Sequence, residues 1–217
     1  MTSATVWTFS RSHPEKRGGA IVRHEVDAVA DDRLDQLDDA ALVDLSLADR
    51  SGAFDLIVAR HRQRVYQLCY RFVGNHEDAS DLSQDVFLRA YRGLAGFRGQ
   101  SSIATWLYRI GVNVCLNKLS AKTSTLGRLT EPIADRQFED TLAEPASERV
   151  LRGERAARVR AAIARLPRTQ RATLILRTYH EMSHQEIADV LGSTVGAVKA
   201  NFFHALANLK KLLEEKG

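Results

Sequence analysis

The chain has 217 residues, of which 44% are hydrophobic, with a formal net charge of +4 and a pI of about 9.2. This length allows one large domain or two small ones, and the apolar fraction is enough to build packed cores. No run of 18 apolar residues occurs, and the N-terminus lacks the apolar core of a secretion signal. Neither a membrane-spanning helix nor an exported protein is therefore expected.

Charge is distributed unevenly along the chain. Residues 25–49 contain nine carboxylates and one basic residue, Arg33, so this segment carries −8 and the remainder +12. A basic body is compatible with nucleic-acid binding. The two cysteines, Cys69 and Cys115, lie in apolar helical stretches without Cys-x-x-Cys spacing. This context favours buried free thiols in a reducing cytoplasm over a metal site.

The N-terminal half reads as a helical bundle preceded by a tail. We expect residues 1–37 to form an acidic, disordered tail, because "SRSHPEKRGG" is polar and broken by Pro14 and two glycines. From residue 38 onward apolar residues recur at three- and four-residue steps, and Gly74 closes the longest such stretch. "NHEDASDLSQDVFLRAYRGL" predicts a helix that Asn75 or a nearby aspartate can cap. The loop "AGFRGQSS" separates it from the helix of "SIATWLYRIGVNVCLNKL".

The C-terminal half predicts a second helical bundle. Residues 120–147 contain Pro132 and Pro145 and no sustained period, which indicates a flexible linker. Helical periodicity resumes in residues 148–217, and no strand pattern of any length is visible. The expected fold class is therefore all-α, with two small bundles over residues 38–119 and 148–217.

The stretch "SHQEIADVLGSTVGAVKANFFHAL" predicts a helix-turn-helix. Ile187, Ala188 and Leu191 form the inner stripe of its first helix, and Gly192 permits the positive φ of a sharp corner. Helical spacing assigns five residues of the second helix to the core: Val195, Val198, Phe202, Leu206 and Leu209.

The opposite side of the second helix suits DNA. Small residues such as Ala197 and Ala200 allow close approach to base edges, and Asn201 and His204 can hydrogen-bond bases. Lysines on its flank can neutralise phosphates. The same pattern also fits an ordinary three-helix bundle that binds protein.

A second cluster lies in "FRGQSSIATWLYRIGVNVCLNKL", which interleaves basic, aromatic and amide side chains. Basic residues neutralise phosphates, while aromatic and amide groups can hold unstacked bases. The alternative is that Trp106 belongs to the core and that the charges are simply solvated.

Two segments carry a family resemblance. "DASDLSQDVFLRAYRGLAGFRGQSSIATWLYRIGVNVCLN" resembles region 2 of the extracytoplasmic-function (ECF) sigma factors, the minimal sigma-70 initiation factors of bacterial RNA polymerase. "LPRTQRATLILRTYHEMSHQEIADVLGSTVGAVKANFFHALANLKKL" resembles their region 4, so the resemblance covers about residues 38–213. It implies a protein that binds core RNA polymerase, directs it to specific promoters and starts promoter melting.

The resemblance implies three binding surfaces. The helix of residues 78–91 would dock on the clamp coiled coil of the polymerase through Asp78, Asp81, Gln84, Asp85, Phe87, Leu88 and Tyr91. The next loop and helix would open and read the minus-ten element through Phe97, Arg98, Gln100, Ser101, Ser102, Trp106, Arg109, Asn113, Asn117 and Lys118. The helix-turn-helix would read the minus-thirty-five duplex through Ser193, Thr194, Gly196, Ala197, Lys199, Ala200, Asn201, Phe203, His204 and Lys210.

The implied partners are core RNA polymerase (clamp coiled coil and flap), promoter DNA and an anti-sigma factor, with no insertion into a membrane. No catalytic residue, metal or cofactor is expected, and the implied location is the cytoplasm.

The sequence departs from the family pattern at one place in the recognition helix. Many members carry an "RAR"-like run near the end of the recognition helix, whereas this chain has His204, Ala205 and Leu206, so fewer fixed charges reach the DNA.

Two other classes of function were weighed. A one-component regulator with a helix-turn-helix would bind duplex promoter DNA without polymerase. For an enzyme we find no nucleophile–base pattern and no glycine-rich phosphate loop. His180 and His184 have the i, i+4 spacing of zinc helices, but Glu181 and Met182 do not complete that motif.

Overall fold

The computed structural model describes residues 31–124 and 146–215 and confirms the all-α fold class. Within these ranges the backbone forms eight α-helices and no strand. They are α1 (Asp39–Leu47), α2 (Ala53–Val73), α3 (His76–Gly93), α4 (Ile103–Ser124), α5 (Ala146–Arg165), α6 (Arg168–Tyr179), α7 (His184–Leu191) and α8 (Val195–Glu214). Helices α1–α4 are called the N-terminal unit below, and helices α5–α8 the C-terminal unit.

The element boundaries differ from the predicted domain limits in three places. A 3-10 turn at Asp31–Gln36 falls within the segment predicted as tail, because Leu34 is buried against the N-terminal unit at 5% exposure. Helix α4 continues to Ser124, past the predicted end at residue 119, and α5 begins at Ala146 rather than at residue 148. The rest of the predicted tail, residues 1–30, and residues 125–145 of the predicted linker lie outside the described residues.

Turn residues set the ends of the helices in the N-terminal unit. Gly74 ends α2 with φ 76°, a left-handed conformation that favours glycine, and its N–H donates to the Tyr70 carbonyl at 2.8 Å. The Asn75 side-chain oxygen then accepts from the Asp78 N–H at 2.8 Å and caps α3. The predicted end at Gly74 is confirmed, and of the two predicted kinds of cap for α3 the structure has Asn75.

The core of the N-terminal unit lies between α2, α3 and α4. Most of the apolar residues on the inner faces of α2, α3 and α4 are buried, while Val58, Tyr91 and Ile110 are half-buried. The largest fully buried side chains here include Ile57, Leu68, Phe72, Val86 and Leu107. Cys69 and Cys115 are both free and fully buried. A hydrogen bond with Cys69 and burial together raise the pKa of the Cys115 thiol. Because the thiolate is the reactive form, we expect Cys115 to be unreactive.

A charged cluster fastens α1 onto α2. The Asp39 carboxylate accepts from Arg60 at 3.0 Å and lies 2.7 Å from the ring nitrogen of His61, which is 8% exposed. Burial raises the pKa of Asp39, but the hydrogen bonds from Arg60 and His61 outweigh it and leave that pKa below its usual value. Helix α1 is thus joined to α2 by a specific ion pair between Asp39 and Arg60.

Helices α7 and α8 form the predicted helix-turn-helix. Ser183 and Glu186 make a reciprocal capping box at the start of α7, with bonds of 3.2 and 2.7 Å. Gly192 has φ 60° at the corner, as predicted, and the Thr194 hydroxyl caps α8 by accepting from the Ala197 N–H at 3.2 Å. The two helices therefore have fixed start points, which fixes the direction in which α8 leaves the corner.

One core residue predicted for α8 was assigned wrongly. Leu206 is 46% exposed, whereas its neighbour Ala205 is fully buried together with Val198. Val198 and Ala205 are seven residues apart and share a face, and Leu206 is turned about 100° away from Ala205. Of the other predicted positions, Val195, Phe202 and Leu209 are half-buried against the core.

Helices α2 and α4 pack tightly at Gly111. A methyl group added there would lie 2.8 Å from a methyl carbon of the fully buried Leu68. We predict that Gly111→Ala lowers the free energy of unfolding by about 1 kcal/mol, since overpacking outweighs the gain in helix propensity. Gly153→Ala in α5, where nothing lies within 4 Å, is the matched control and should raise stability slightly. Thermal unfolding followed by circular dichroism measures both; a Gly111→Ala protein at least as stable as the unmodified one would contradict the close crossing.

Candidate polymerase and nucleic-acid interfaces

Helix α3 carries the residues predicted to contact polymerase. Asp81 and Gln84 are exposed, whereas Phe87 is 4% exposed and packs mainly into the core. Asp85, Leu88 and Tyr91 are half-buried, and Asp85 accepts from Arg89 one turn later at 2.9 Å. The exposed part of this surface is therefore acidic and amide-rich, with Asp81 the most accessible charge among the predicted contacts.

An open groove adjoins this surface between α2 and α3. It has a volume of about 430 Å³ and is lined by Val58, Tyr66, Gln84 and Phe87, among others. The α2 residues of this groove were not among the predicted contacts. Helical spacing did not identify them as surface residues. Val58, for example, fits the inner stripe of α2, although the structure leaves it only half-buried.

Phe97 and Trp106 bring together helix α4 and the loop that precedes it. Their rings pack with centroids 5.2 Å apart at an angle of 50°, and both residues are half-buried. The Trp106 ring also lies over Gly93 at the end of α3. Arg98, Gln100, Ser101 and Ser102 around them are exposed, and the Ser102 hydroxyl caps α4 by accepting from the Thr105 N–H at 3.1 Å. Trp106 is therefore partly a core residue, and part of its ring remains at the surface.

An outward stripe runs along α4. Arg109, Asn113 and Asn117 recur every four residues and are all exposed, so they lie on one face of the helix. Lys118 is turned towards α3, where its ammonium group lies 3.1 Å from the Asp78 carboxylate. The structure thus brings together one residue predicted for polymerase binding and one predicted for DNA binding.

The outer face of α8 is apolar at its centre and basic at its flanks. Gly196, Ala200 and Phe203 lie on the side opposite the buried Val198, and Phe203 is 71% exposed. Ser193, Thr194, Ala197, Lys199, His204 and Lys210 are exposed as well, whereas Asn201 is half-buried. From Val195 to Leu213 the helix carries three lysines and no carboxylate, so the face is electrostatically suited to a polyanion.

In the part of the chain that the structure describes, no helix is long and apolar enough to cross a membrane. In the same part, no three side chains of the metal-ligating types come together as a possible metal site.

Two family models match the chain, in the order of the two units. The model of sigma-70 region 2 matches residues 57–125, and that of sigma-70 region 4 matches residues 156–209. The first match spans most of α2 and all of α3 and α4, and the second spans the second half of α5, α6 and most of the helix-turn-helix.

Curated relatives cover about four fifths of the chain. The RNA polymerase sigma-H factor of Pseudomonas aeruginosa is 35% identical over 191 residues, which cover 83% of this chain and 96% of the relative. The ECF RNA polymerase sigma factor SigM of Mycobacterium tuberculosis is 33% identical, covering 81% and 84%. The ECF sigma-E factor of Escherichia coli is 34% identical, covering 79% and 92%.

Solved structures resemble the fold. CnrH, solved in complex with the cytosolic domain of CnrY, superposes with a TM-score of 0.59 at 26% identity, covering 82% of this chain and 99% of CnrH. RpoE of Bartonella quintana, solved with the anti-sigma factor NepR, gives a TM-score of 0.58 at 18% identity, covering 76% and 98%. The chain therefore belongs to the ECF group of the sigma-70 family, the initiation factors that direct RNA polymerase to specific promoters.

Proposed function

We propose that the N-terminal unit binds core RNA polymerase through α3 and the minus-ten element through the loop and outer stripe of α4. The C-terminal unit reads the minus-thirty-five duplex with α8. The observation that supports this division is that Asp81, Asn113 and Phe203 are each exposed, on three different helices. The protein can then bind a polymerase helix, an unstacked DNA strand and duplex DNA on three separate faces.

Promoter melting is assigned to α4 and its preceding loop. Flipping a base out of a duplex costs a few kcal/mol per unstacked step. An exposed amide stripe beside the Phe97–Trp106 pair offers stacking and hydrogen bonding to offset this cost without a nucleotide cofactor. The protein itself then catalyses no covalent reaction, and its place of action is the cytoplasm, where polymerase and chromosome are.

We further propose that an anti-sigma factor controls this protein. CnrH is a relative of similar fold that was solved with a cytosolic domain of another protein, CnrY. A factor that covered α3 or α8 would block one of the surfaces above.

In vitro transcription with core polymerase and this protein as the only initiation factor tests the proposal. We expect specific transcripts from a promoter library, absent when the protein is left out. Specific binding to duplex promoters with no effect on core polymerase would instead favour a one-component regulator.

A further inference from the structure

Helix α8 has two flanks beside its outer face, and they carry different kinds of charge. Since an α-helix turns by about 100° per residue, Lys199 and Lys210 project on one flank, whereas His204 and Lys211 project on the other. All four side chains are exposed. The first flank therefore carries permanent charge at both lysines, while the second gains charge at His204 only when the imidazole ring is protonated.

The two flanks are placed to meet the two phosphate backbones of a duplex. When a recognition helix lies in the major groove, its outer face meets the base edges and its sides pass close to the backbones. Lysines bind phosphate at any pH near neutrality. A histidine is a full cation only as the imidazolium ion, in which both ring nitrogens donate. Lys211 lies about 10 Å further along the same flank, so it does not replace a contact made at His204.

His204 has no partner in the protein that takes the place of a phosphate. Its ring lies edge-on to that of Phe203 with centroids 5.8 Å apart, and among the described residues it makes no hydrogen bond or ion pair. The carboxylates of α8 and its C-cap, Glu214 and Glu215, lie about 15 Å further along the helix. Both are paired with basic side chains, at 3.8 and 3.7 Å. The protein thus offers the protonated ring no anion, whereas a duplex does.

The helices that pack against α8 direct their charged groups elsewhere. Each arginine of α6 donates to a backbone carbonyl: Arg168 to Leu116 at 3.0 Å, Arg171 to Phe72, and Arg177 to Met182 at 2.8 Å. On α7, Glu186 is held in the capping box, and Asp189 accepts from Gln185 at 3.1 Å through its carboxylate and from Arg109 through its carbonyl. Helix α5 meets the far end of α8, where Arg165 pairs with Glu215.

The other two histidines of the C-terminal unit lie away from the outer face of α8. His184 is half-buried at the start of α7, and its ring centroid lies 6.1 Å from that of Phe202, which packs against the core. His180 follows α6, and burial, together with the charges of Arg71 and Arg64, lowers its pKa to about 4. Of the three, His204 alone is therefore positioned to meet a bound duplex.

We propose that His204 is a phosphate contact that forms as the ring is protonated, so that α8 binds DNA through one charged flank at about pH 8 and through two at about pH 6. This inference rests on the proposed role of α8 as the minus-thirty-five helix. Because the protonated ring binds the duplex more tightly, the complex holds more protons than the free protein. By linkage, affinity then rises as the pH falls.

Fluorescence anisotropy of the full chain with a rhodamine-labelled duplex of random sequence tests this pH dependence. Phosphate contacts carry no sequence information, so the promoter need not be known. We expect the unmodified protein to bind about threefold to tenfold more tightly at about pH 6 than at about pH 8, as one added phosphate contact gives a change of this size at low salt. His204→Gln should lose this gain. His204→Arg should bind at both pH values as tightly as the unmodified protein does at the lower one.

Salt dependence separates a phosphate contact from a general effect of pH on the fold. In the unmodified protein, the slope of log affinity against log salt concentration should be steeper by about 0.9 at the lower pH, because one more phosphate is neutralised. His204→Gln should give the same slope at both pH values. His184→Gln is the matched control, since it removes the other histidine of the helix-turn-helix, and it should keep both the gain in affinity and the change in slope.

Binding of the unmodified protein that does not change with pH, or an undiminished pH dependence in His204→Gln, would overturn the proposal. Lys199→Gln distinguishes that failure from a failure of the proposed function, because it removes a permanent charge from the other flank. It should weaken duplex binding by the same factor at both pH values. If Lys199→Gln has this effect and His204→Gln has none, only the contact at His204 is overturned. If neither variant changes binding, α8 is not the DNA-binding helix and both proposals fail.

Discussion

Asp81→Arg is expected to weaken binding to core RNA polymerase by about 100-fold, because a charge reversal at a complementary interface costs several kcal/mol. Asp81 is exposed on the second turn of α3 and is not among the buried residues of that helix. The fold should therefore survive, and the thermal midpoint should stay within a few degrees of that of the unmodified protein. Fluorescence anisotropy with labelled protein and purified core polymerase measures the change.

Asp44→Arg is the matched control for this charge reversal. Asp44 is also exposed, but it lies on α1, outside the proposed polymerase surface. Equal loss of affinity in both variants would indicate a general charge effect and would remove the argument for α3 as the docking helix.

Trp106→Ala is expected to reduce open-complex formation by about 10- to 100-fold while leaving core binding unchanged, since stacking on an aromatic side chain is worth about 1–3 kcal/mol per base. The half-buried indole packs on Phe97, so some loss of stability is expected too. Asn113→Ala removes only an exposed amide and should produce a smaller defect without loss of stability. Permanganate footprinting of unpaired thymines reports opening.

A template with a pre-melted bubble at the minus-ten element separates opening from later steps. The bases in the bubble of such a template are already unstacked, so no free energy is needed to open them. The loss of open complex caused by Trp106→Ala should therefore be smaller on this template. An equally large defect on both templates would place the role of Trp106 elsewhere.

Local signals in the sequence predicted the helices and their caps. Gly74, Asn75 and Gly192 act within a few residues of their own positions, and spacing alone was enough to place them. Helical periodicity likewise identified the α2 core. It was wrong for Leu206 because Ala205, a small residue with a weak hydrophobic signal, fills the close approach of α8 to its neighbours.

The sequence did not predict the contacts between segments that are far apart in the chain. Arg171 and Phe72 are 99 residues apart, and a charged residue in an amphipathic helix normally indicates the solvent side. The hydrogen bond between Asp39 and His61 was equally unpredictable, since neither residue interrupts the helical pattern. The family resemblance assigned the three surfaces, but it did not indicate that Arg109 would be engaged by the other unit.

The tight crossing at Gly111 has a consequence for how promoter preference can change. The inner side of α4 is packed through Leu107, Val114 and the methyl groups around Gly111, whereas Asn113 and Asn117 are exposed. Side chains on the outer stripe can therefore be exchanged at little cost to folding. Under the proposed role of α4, the minus-ten preference can then change by substitution at one exposed position at a time while the packed face of the helix stays the same.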